Sequence, residues 1–380
     1  MNISSKLPNV GTTIFTTMSK MAHQYNAINL AQGFPGFESD PLLTELVSKA
    51  MRDGHNQYAP MQGVYRLREN ITNKINTLYG SDYDAESNIT ITAGATQAIF
   101  TIVSAFVRPG DEVIVLKPAY DCYEPAIEVN GGKVVPIQLA APSYKVNWQA
   151  VKEAITPKTK MLFINTPHNP TGTILEESDL QELERILDGT NIILLSDEVY
   201  EHIVFDGKGH ESVARYPQLR KRSFITASFG KTFHNTGWKI GYVVGPKALM
   251  DEFKKVHQFN VFSVHHPSQK ALATYLEEPS HYLTLSPFFQ QKRDLFLDLI
   301  KGSRFKATPA SGTYFQMLDF SDITDEPDTA FAERLTKEKG LASIPTSVFN
   351  LENQDYKMLR FCFAKDDEVL KRAAQILTSI

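Results

Sequence analysis

The sequence predicts an α/β protein: a large domain whose mostly parallel sheet is sandwiched by helices, plus a small α/β domain. Three observations lead there. From residue 88 onward, short apolar strands alternate with helices, the pattern left by crossover connections in a parallel sheet. Strand after strand then ends in a cluster of small, aromatic or charged residues. Finally, at 380 residues the chain is longer than one core usually fills, since cores stop growing at about 250 to 300 residues. The expected division is an N-terminal arm, 1–40, that joins the small domain, a large domain, 41–282, and a C-terminal small domain, 283–380.

Taken in order, residues 1–39 read as an irregular arm with one short strand, 27–30, followed by Gln32-Gly33-Phe34-Pro35-Gly36, whose glycines and proline bar regular structure. Asp40 and Pro41 occupy the favoured N-cap and N1 places of a helix that Gly54 closes. Residues 56–63 form a turn-rich loop. A helix with Leu67, Ile71, Ile75 and Leu78 on one face follows from Tyr65 to Tyr79 and ends at Gly80. Strand 88–92 turns through Ala93-Gly94-Ala95-Thr96 into an apolar helix, 97–107. Strand 112–116 runs into Tyr120, strand 161–164 into Asn169-Pro170-Thr171-Gly172, and strand 192–195 into Asp197-Glu198-Val199-Tyr200. Strand 224–227 stops at Ser228-Phe229-Gly230-Lys231, and a further strand starts at Ile240. A helical run from Pro267 to Ile300 leads to the second unit: strand 314–318, a helix near 329–337 closed by Gly340, strand 358–363, and a last helix with Asp366, Asp367 and Glu368 at its N-terminus.

Composition narrows the function. Lys+Arg 39 against Asp+Glu 43 gives a net charge of −4 without a long like-charge block, which argues against nucleic acid or an anionic membrane as partner. No apolar run approaches the roughly 20 residues that span a bilayer. Met1 leads into a polar segment with no signal-peptide core, and two cysteines, Cys122 and Cys362, cannot build a disulfide framework. A soluble cytoplasmic protein acting on a small molecule is expected.

In an open parallel sheet the ligand lies beyond the carboxyl ends of the strands, where Ala95, Thr96, Tyr120, Asn169, Asp197, Tyr200, Ser228 and Lys231 collect. A lysine walled by apolar groups lowers its pKa, and the neutral amine attacks aldehydes. The helix N-terminus after Ala93, with Ser228 and Lys239, offers an anion cradle. A reactive amine, an aromatic platform, a carboxylate and an anion cradle are the parts that hold pyridoxal 5′-phosphate. Arg360 lies within the apolar strand MLRFCFA, where an unpaired guanidinium is costly. Its planar fork matches a substrate carboxylate, with a structural salt bridge as the alternative. No metal is expected.

Asn169-Pro170-Thr171-Gly172, Asp197-Glu198-Val199-Tyr200 and Ser228-Phe229-Gly230-Lys231 with Lys239, in that order, resemble the fold-type I, class I aminotransferases that use pyridoxal phosphate. The resemblance covers essentially the whole chain. INLAQGFPGF, NQYAPMQG, YDCYEP and MLRFCFAK are similar to the branch that holds bacterial methionine aminotransferase and the kynurenine aminotransferases (glutamine transaminase K). The resemblance implies a fold-type I architecture and an internal aldimine on Lys231, which then acts as general acid and base. It implies Asp197 on the pyridinium nitrogen, Asn169 and Tyr200 on the phenolic oxygen, and Tyr120 stacked on the ring. Ala95, Thr96, Ser228 and Lys239 would hold the phosphate, completed by Tyr58 of a neighbouring subunit, so that an obligate homodimer with shared active sites follows. Arg360, helped by Asn169 and the backbone of Gly33, would clamp the substrate carboxylate, and Phe15, Tyr58 and Phe262 would line the side-chain pocket. The substrates implied are an amino acid, methionine or aromatic before acidic, and a 2-oxo acid.

Two other readings use the same residues. A carbon–sulfur β-lyase acting on cysteine S-conjugates would need the same site. A pyridoxal-phosphate-binding regulator would need a DNA-binding module, for which residues 1–39 are too short and lack a basic recognition helix. Ser263 stands where the kynurenine enzymes carry histidine, which speaks against kynurenine as the preferred substrate.

Overall fold

Seven strands form the central sheet, in the spatial order Ile89–Thr92, Gly241–Val244, Ser223–Ser228, Ile193–Asp197, Thr159–Asn165, Glu112–Lys117 and Lys133–Gln138. Only Gly241–Val244 runs against the others. This architecture comes from a computed structural model that describes Met1 and residues 3–380. Side chains alternate across the sheet with the period of two that a strand imposes. Ile114, Leu162, Ile164, Leu194 and Ile225 enter one core. Val113, Val115, Phe163, Leu195 and Phe224 enter the other, with Ile99 and Ile102 of the helix Gly94–Phe106. Both faces are therefore covered, which is why these strands read as unbroken apolar runs.

A three-stranded antiparallel sheet, Ile344–Pro345, Met358–Cys362 and Phe315–Asp319, has the Arg360 strand at its centre. The helix Leu285–Leu299 brings Phe289 and Phe296 to that region's core. Ile28–Asn29 pairs in parallel with Leu341–Ala342, which ties the arm to the C-terminal part of the chain.

Three features differ from expectation. The arm is not irregular throughout: Ile14–Gln24 is a helix, capped by Thr13, whose side chain accepts from the Thr16 N–H. Thr16, Thr17 and Ser19 dilute its apolar stripe, and burial of Met18 and Ala22, one turn apart, outweighs their weak helix propensity. The turn at 93–96 is already the first turn of the helix Gly94–Phe106, so the N–H groups of Ala95 and Thr96 belong to a helix N-terminus. Lys133–Gln138 is an additional edge strand despite Pro136, which an edge tolerates because one side needs no ladder bond.

Gly241 marks a close crossing of backbones near the strand ends. A Cβ there would lie 2.6 Å from the Ala227 carbonyl oxygen and 3.0 Å from the Ala95 nitrogen, both backbone atoms. Gly241→Ala is expected to destabilise the protein by about 1–3 kcal/mol through overpacking. The measurement is the thermal unfolding midpoint, and an unchanged midpoint would show that the two backbones part without cost.

Candidate active site

The parallel strands deliver their ends to one cleft, lined by Gly94, Ala95, Thr96, Tyr120, Asn165, Asn169, Asp197, Tyr200, Ser228, Lys231 and Lys239. Lys231 lies on a single helical turn, Phe229–Thr232, that follows its strand. Its Nζ donates to the Gly33 carbonyl at 2.9 Å and stands 5.9 Å from the ring centres of Tyr200 and Tyr314. Burial takes the amine down to about 8, with Arg360 and Lys239 pushing the same way against Cys362 and Asp197. A useful fraction is therefore neutral near pH 7.

Asp197 is buried at the end of the neighbouring strand. The Tyr123 hydroxyl donates to its Oδ2 at 2.6 Å and the Val199 N–H to its Oδ1 at 3.3 Å. Burial pushes the carboxyl up to about 6 despite these bonds. Among the described residues no lysine, arginine or histidine forms an ion pair with it. A buried carboxylate without a cation is costly, and a protonated ring nitrogen placed in the cleft would supply what is missing.

At the other end of the cleft Gly94 adopts φ +80°, and a Cβ there would stand 3.6 Å from Lys239 Nζ. The ammonium thus sits beside a helix N-terminus, with Ser228 close in the same lining. Among the described residues Lys239 has no carboxylate partner. First-turn N–H groups, a hydroxyl and an ammonium suit a phosphate. Burial raises the Tyr120 phenol above its ordinary value. Its ring meets Tyr123 edge-to-face at 5.9 Å.

Arg360 is 1% exposed. Its Nη1 donates to Asn169 Oδ1 at 2.7 Å and its Nη2 to the Ala31 carbonyl at 3.0 Å, while Nε has no partner. The guanidinium carbon lies 3.9 Å from the Phe315 ring centre and 5.3 Å from that of Phe15. No carboxylate among the described residues pairs with it, which sets the salt-bridge alternative aside. Gly33 lies against the same group, since a Cβ there would be 3.0 Å from Phe315 Cζ and 4.0 Å from Arg360 Nη2.

Thus the strand-end residues converge, and Gly33, Phe15 and Arg360 adjoin them. Tyr58 and Phe262 do not line the cleft within one chain. They meet each other at 5.3 Å, edge to face, and are 81% and 45% exposed. Ser263 Oγ donates to the Ala59 carbonyl at 2.9 Å and so joins their two loops. Sequence reasoning missed Tyr123, Asn165 and Tyr314. Asn165 Nδ2 donates to the Asp197 carbonyl and its Oδ1 accepts from the Asn169 N–H, both at 2.8 Å, so one side chain sets two loops. The bond to Asn169 closes a turn of four residues, whereas tertiary packing alone brings Asn165 and Tyr123 to Asp197.

Residues 25–377 match the family model of aminotransferases, class I and II. The chain belongs to that family. It is 47% identical to methionine aminotransferase of Escherichia coli, over 99% of this chain and 98% of the relative. It is 34% identical to kynurenine–oxoglutarate transaminase 1 of Mus musculus, over 96% and 94%. The crystal structure of an Escherichia coli protein identified as a methionine aminotransferase superposes with a TM-score of 0.98 at 46% identity, covering all of both chains. An aspartate aminotransferase of Thermus thermophilus, solved with maleate, superposes with a TM-score of 0.91 at 28% identity, over 100% of this chain and 99% of that one. The protein is an aminotransferase of the pyridoxal-phosphate-dependent kind.

Because only the neutral amine captures an aldehyde, the rate at which apoprotein binds pyridoxal phosphate covalently should rise with pH. Below the Lys231 value of about 8 the expected gain is about tenfold per unit, levelling off above it. Stopped-flow absorbance would read it, and a rate flat from about pH 6 to 8 would remove buried Lys231 as the capturing amine.

Proposed function

We propose that the enzyme transfers the amino group of large apolar amino acids, methionine and the aromatic ones, to a 2-oxo acid, with Lys231 as the covalent anchor of the cofactor. The observation that carries this reading is the set of cations at the cleft. Lys231 and Lys239 line it and Arg360 adjoins it through Asn169. With Lys239 on the phosphate and Arg360 on the substrate's α-carboxylate, the described residues of one chain leave no further cation in the cleft lining for a second carboxylate. The walls beside Arg360 are the rings of Phe15 and Phe315, and Phe349 stacks on Phe15 at 5.6 Å. A side-chain carboxylate left unpaired there costs several kcal/mol, whereas an unbranched thioether gains sulfur–aromatic contacts. Full-length likeness to a methionine aminotransferase supports this choice. The fold alone does not decide it, because an aspartate aminotransferase shares it.

Bound pyridoxal phosphate supplies the aldehyde that accepts the amino group and the ring that takes up the electron pair left at Cα. The chain's residues do the rest. Asp197 would keep a proton on the ring nitrogen, with Tyr123 fixing the carboxylate. Tyr200 and Asn169 would hold the ring at its phenolic oxygen, Tyr120 would lie against the ring, and Ala95, Thr96, Ser228 and Lys239 would hold the phosphate. Arg360 exchanges the neutral Asn169 and Ala31 acceptors for a carboxylate, which is worth more to a guanidinium and aligns Cα with Lys231. Lys231, part neutral, would take the proton from Cα as a general base and deliver it to the cofactor carbon C4′ as a general acid.

We infer further that two copies share their sites. Tyr58, Phe262 and Phe259, the last 85% exposed, leave an aromatic surface that one chain does not cover, and Tyr58 of a second copy is the candidate to complete the phosphate grip. The large and small sheets are taken as two domains, divided near residues 40 and 282. Two free cysteines suit a reducing cytoplasm.

The substrate reading is tested by kcat/KM for methionine against aspartate with the same 2-oxo acid. Methionine should lead by powers of ten, and a ratio near one would defeat it. Shared sites are tested by mixing inactive Tyr58→Ala and Lys231→Ala proteins. One hybrid site then keeps both groups, so part of the activity should return, and proven subunit exchange without any return would place Tyr58 outside the site.

A further inference from the structure

Tyr314 is the buried hydroxyl beside the reactive lysine for which the roles above have no use. Its side chain is fully buried, and its hydroxyl donates to the Gly33 carbonyl oxygen at 2.8 Å. The same oxygen accepts from Lys231 Nζ at 2.9 Å. The ring is held independently of that bond, edge-on to Tyr200 at 5.1 Å and to Phe315 at 4.9 Å, with Phe289 at 5.7 Å. Burial holds the phenol well above its ordinary value, so the group is a neutral donor. A carbonyl oxygen has two lone pairs, and here a hydroxyl and an amine take one each.

The geometry points to Tyr314 as a positioning residue for Lys231, acting through the Gly33 carbonyl: its hydroxyl fixes where the lysine nitrogen rests and weakens that oxygen as an acceptor for an ammonium. The physical reason is the hydroxyl proton, whose partial positive charge lies next to the shared oxygen and opposes an ammonium more than an amine. The other groups facing Lys231 are set. Cys362 and Asp197 favour the charged form, Arg360 and Lys239 oppose it, and Tyr200 presents a neutral ring. Removing the Tyr314 hydroxyl leaves all of these in place and withdraws one force that keeps the nitrogen neutral. Lys231 then holds its proton to higher pH and is less precisely placed when free.

This inference rests on Lys231 being the reacting amine, which borohydride reduction of the holoenzyme, read as the identity of the modified lysine, tests separately. For Tyr314 the variant is Tyr314→Phe, which keeps the ring in its aromatic surroundings. In the apoprotein, reductive methylation of Lys231 followed by mass spectrometry should show its pH midpoint moved upward by about half to one unit, equivalent to a three- to tenfold smaller neutral fraction at pH 7. In the holoenzyme, kcat for methionine at pH 7 should fall about three- to tenfold with KM and cofactor affinity within about twofold, and the loss should shrink as pH rises. Placing 3-fluorotyrosine at Tyr314, a stronger donor of nearly the same size, should move the methylation midpoint downward. An unmoved midpoint, a loss of kcat equal at every pH, or a Tyr314→Phe protein that no longer folds or binds cofactor would each overturn the proposal.

Discussion

A half-buried amine and a buried carboxylate share one cleft without being paired to each other, and the rest of the site follows from that constraint. Lys231 is lowered to about 8 and Asp197 raised to about 6, each mainly by burial. A direct ion pair would reverse both shifts by fixing both charges, and the amine would cease to be a nucleophile. The sheet prevents the pairing. Asp197 ends one strand, and Lys231 lies past the end of the adjacent one on a helical turn that carries it onward. Lys231 finds a carbonyl and Asp197 a phenol, both neutral, so each charge is solvated without being neutralised.

Holding two such groups in place requires that the backbone between them not move, and the support lies on the far side of the Asp197 loop. Glu198 accepts from Ser196 Oγ at 2.8 Å and from the Val213 N–H at 3.1 Å, and its Oε2 lies 2.8 Å from His210 Nε2. Glu201 accepts from Lys74 at 2.5 Å and from Tyr79 and Tyr242 at 2.8 Å each. Burial works to raise Glu201, but Lys74 and His202 prevail and hold its carboxyl below the ordinary range. A buried pair of this kind is a weak source of net stability but costs about 3–5 kcal/mol to break on one side. Its value here is positional: Tyr242 follows Gly241 on the strand that leads away from Lys239, so one network fixes both the Asp197 loop and the strand behind the Lys239 end of the cleft.

Much of this was legible in the sequence wherever a residue contradicts its surroundings. Lys231 at a strand end and Arg360 inside MLRFCFA are charges in apolar runs, and each proved to be a cation without a carboxylate partner among the described residues, Arg360 buried and Lys231 half-buried. Helix ends were legible too, because Asp40 with Pro41, and Gly80, carry capping chemistry that does not depend on tertiary context. What escaped had no local signal. The helix Ile14–Gln24 is stabilised by what it packs on rather than by its composition, and the strand Lys133–Gln138 contains a proline that only its edge position excuses. Tyr123 and Tyr314 read as core aromatics, and so they are, apart from one hydroxyl each. Where a hydroxyl points depends on which strands are neighbours, and a 2.6 Å bond from Tyr123 to Asp197 joins residues 74 positions apart.

The loop at Ala31 to Gly36 shows why a stretch without regular structure belongs in this site. Its glycines and proline keep it out of helices and ladders, and its carbonyl oxygens remain free to accept. Arg360 Nη2 donates to Ala31, Lys231 Nζ to Gly33 and Lys365 Nζ, at 3.0 Å, to Phe34. Three cations are thus received by one run of neutral acceptors, and the loop is itself pinned to the Arg360 strand by bonds from Cys362 N–H to Leu30 and from Gly36 N–H to Ala364, each 2.8 Å. Neutral acceptors lower the cost of burying a cation without cancelling its charge. A carboxylate placed there by the sequence would have cancelled it, and Arg360 would then have little to gain from a substrate. The irregular segment therefore keeps Arg360 charged and exchangeable and keeps Lys231 within reach of its neutral form.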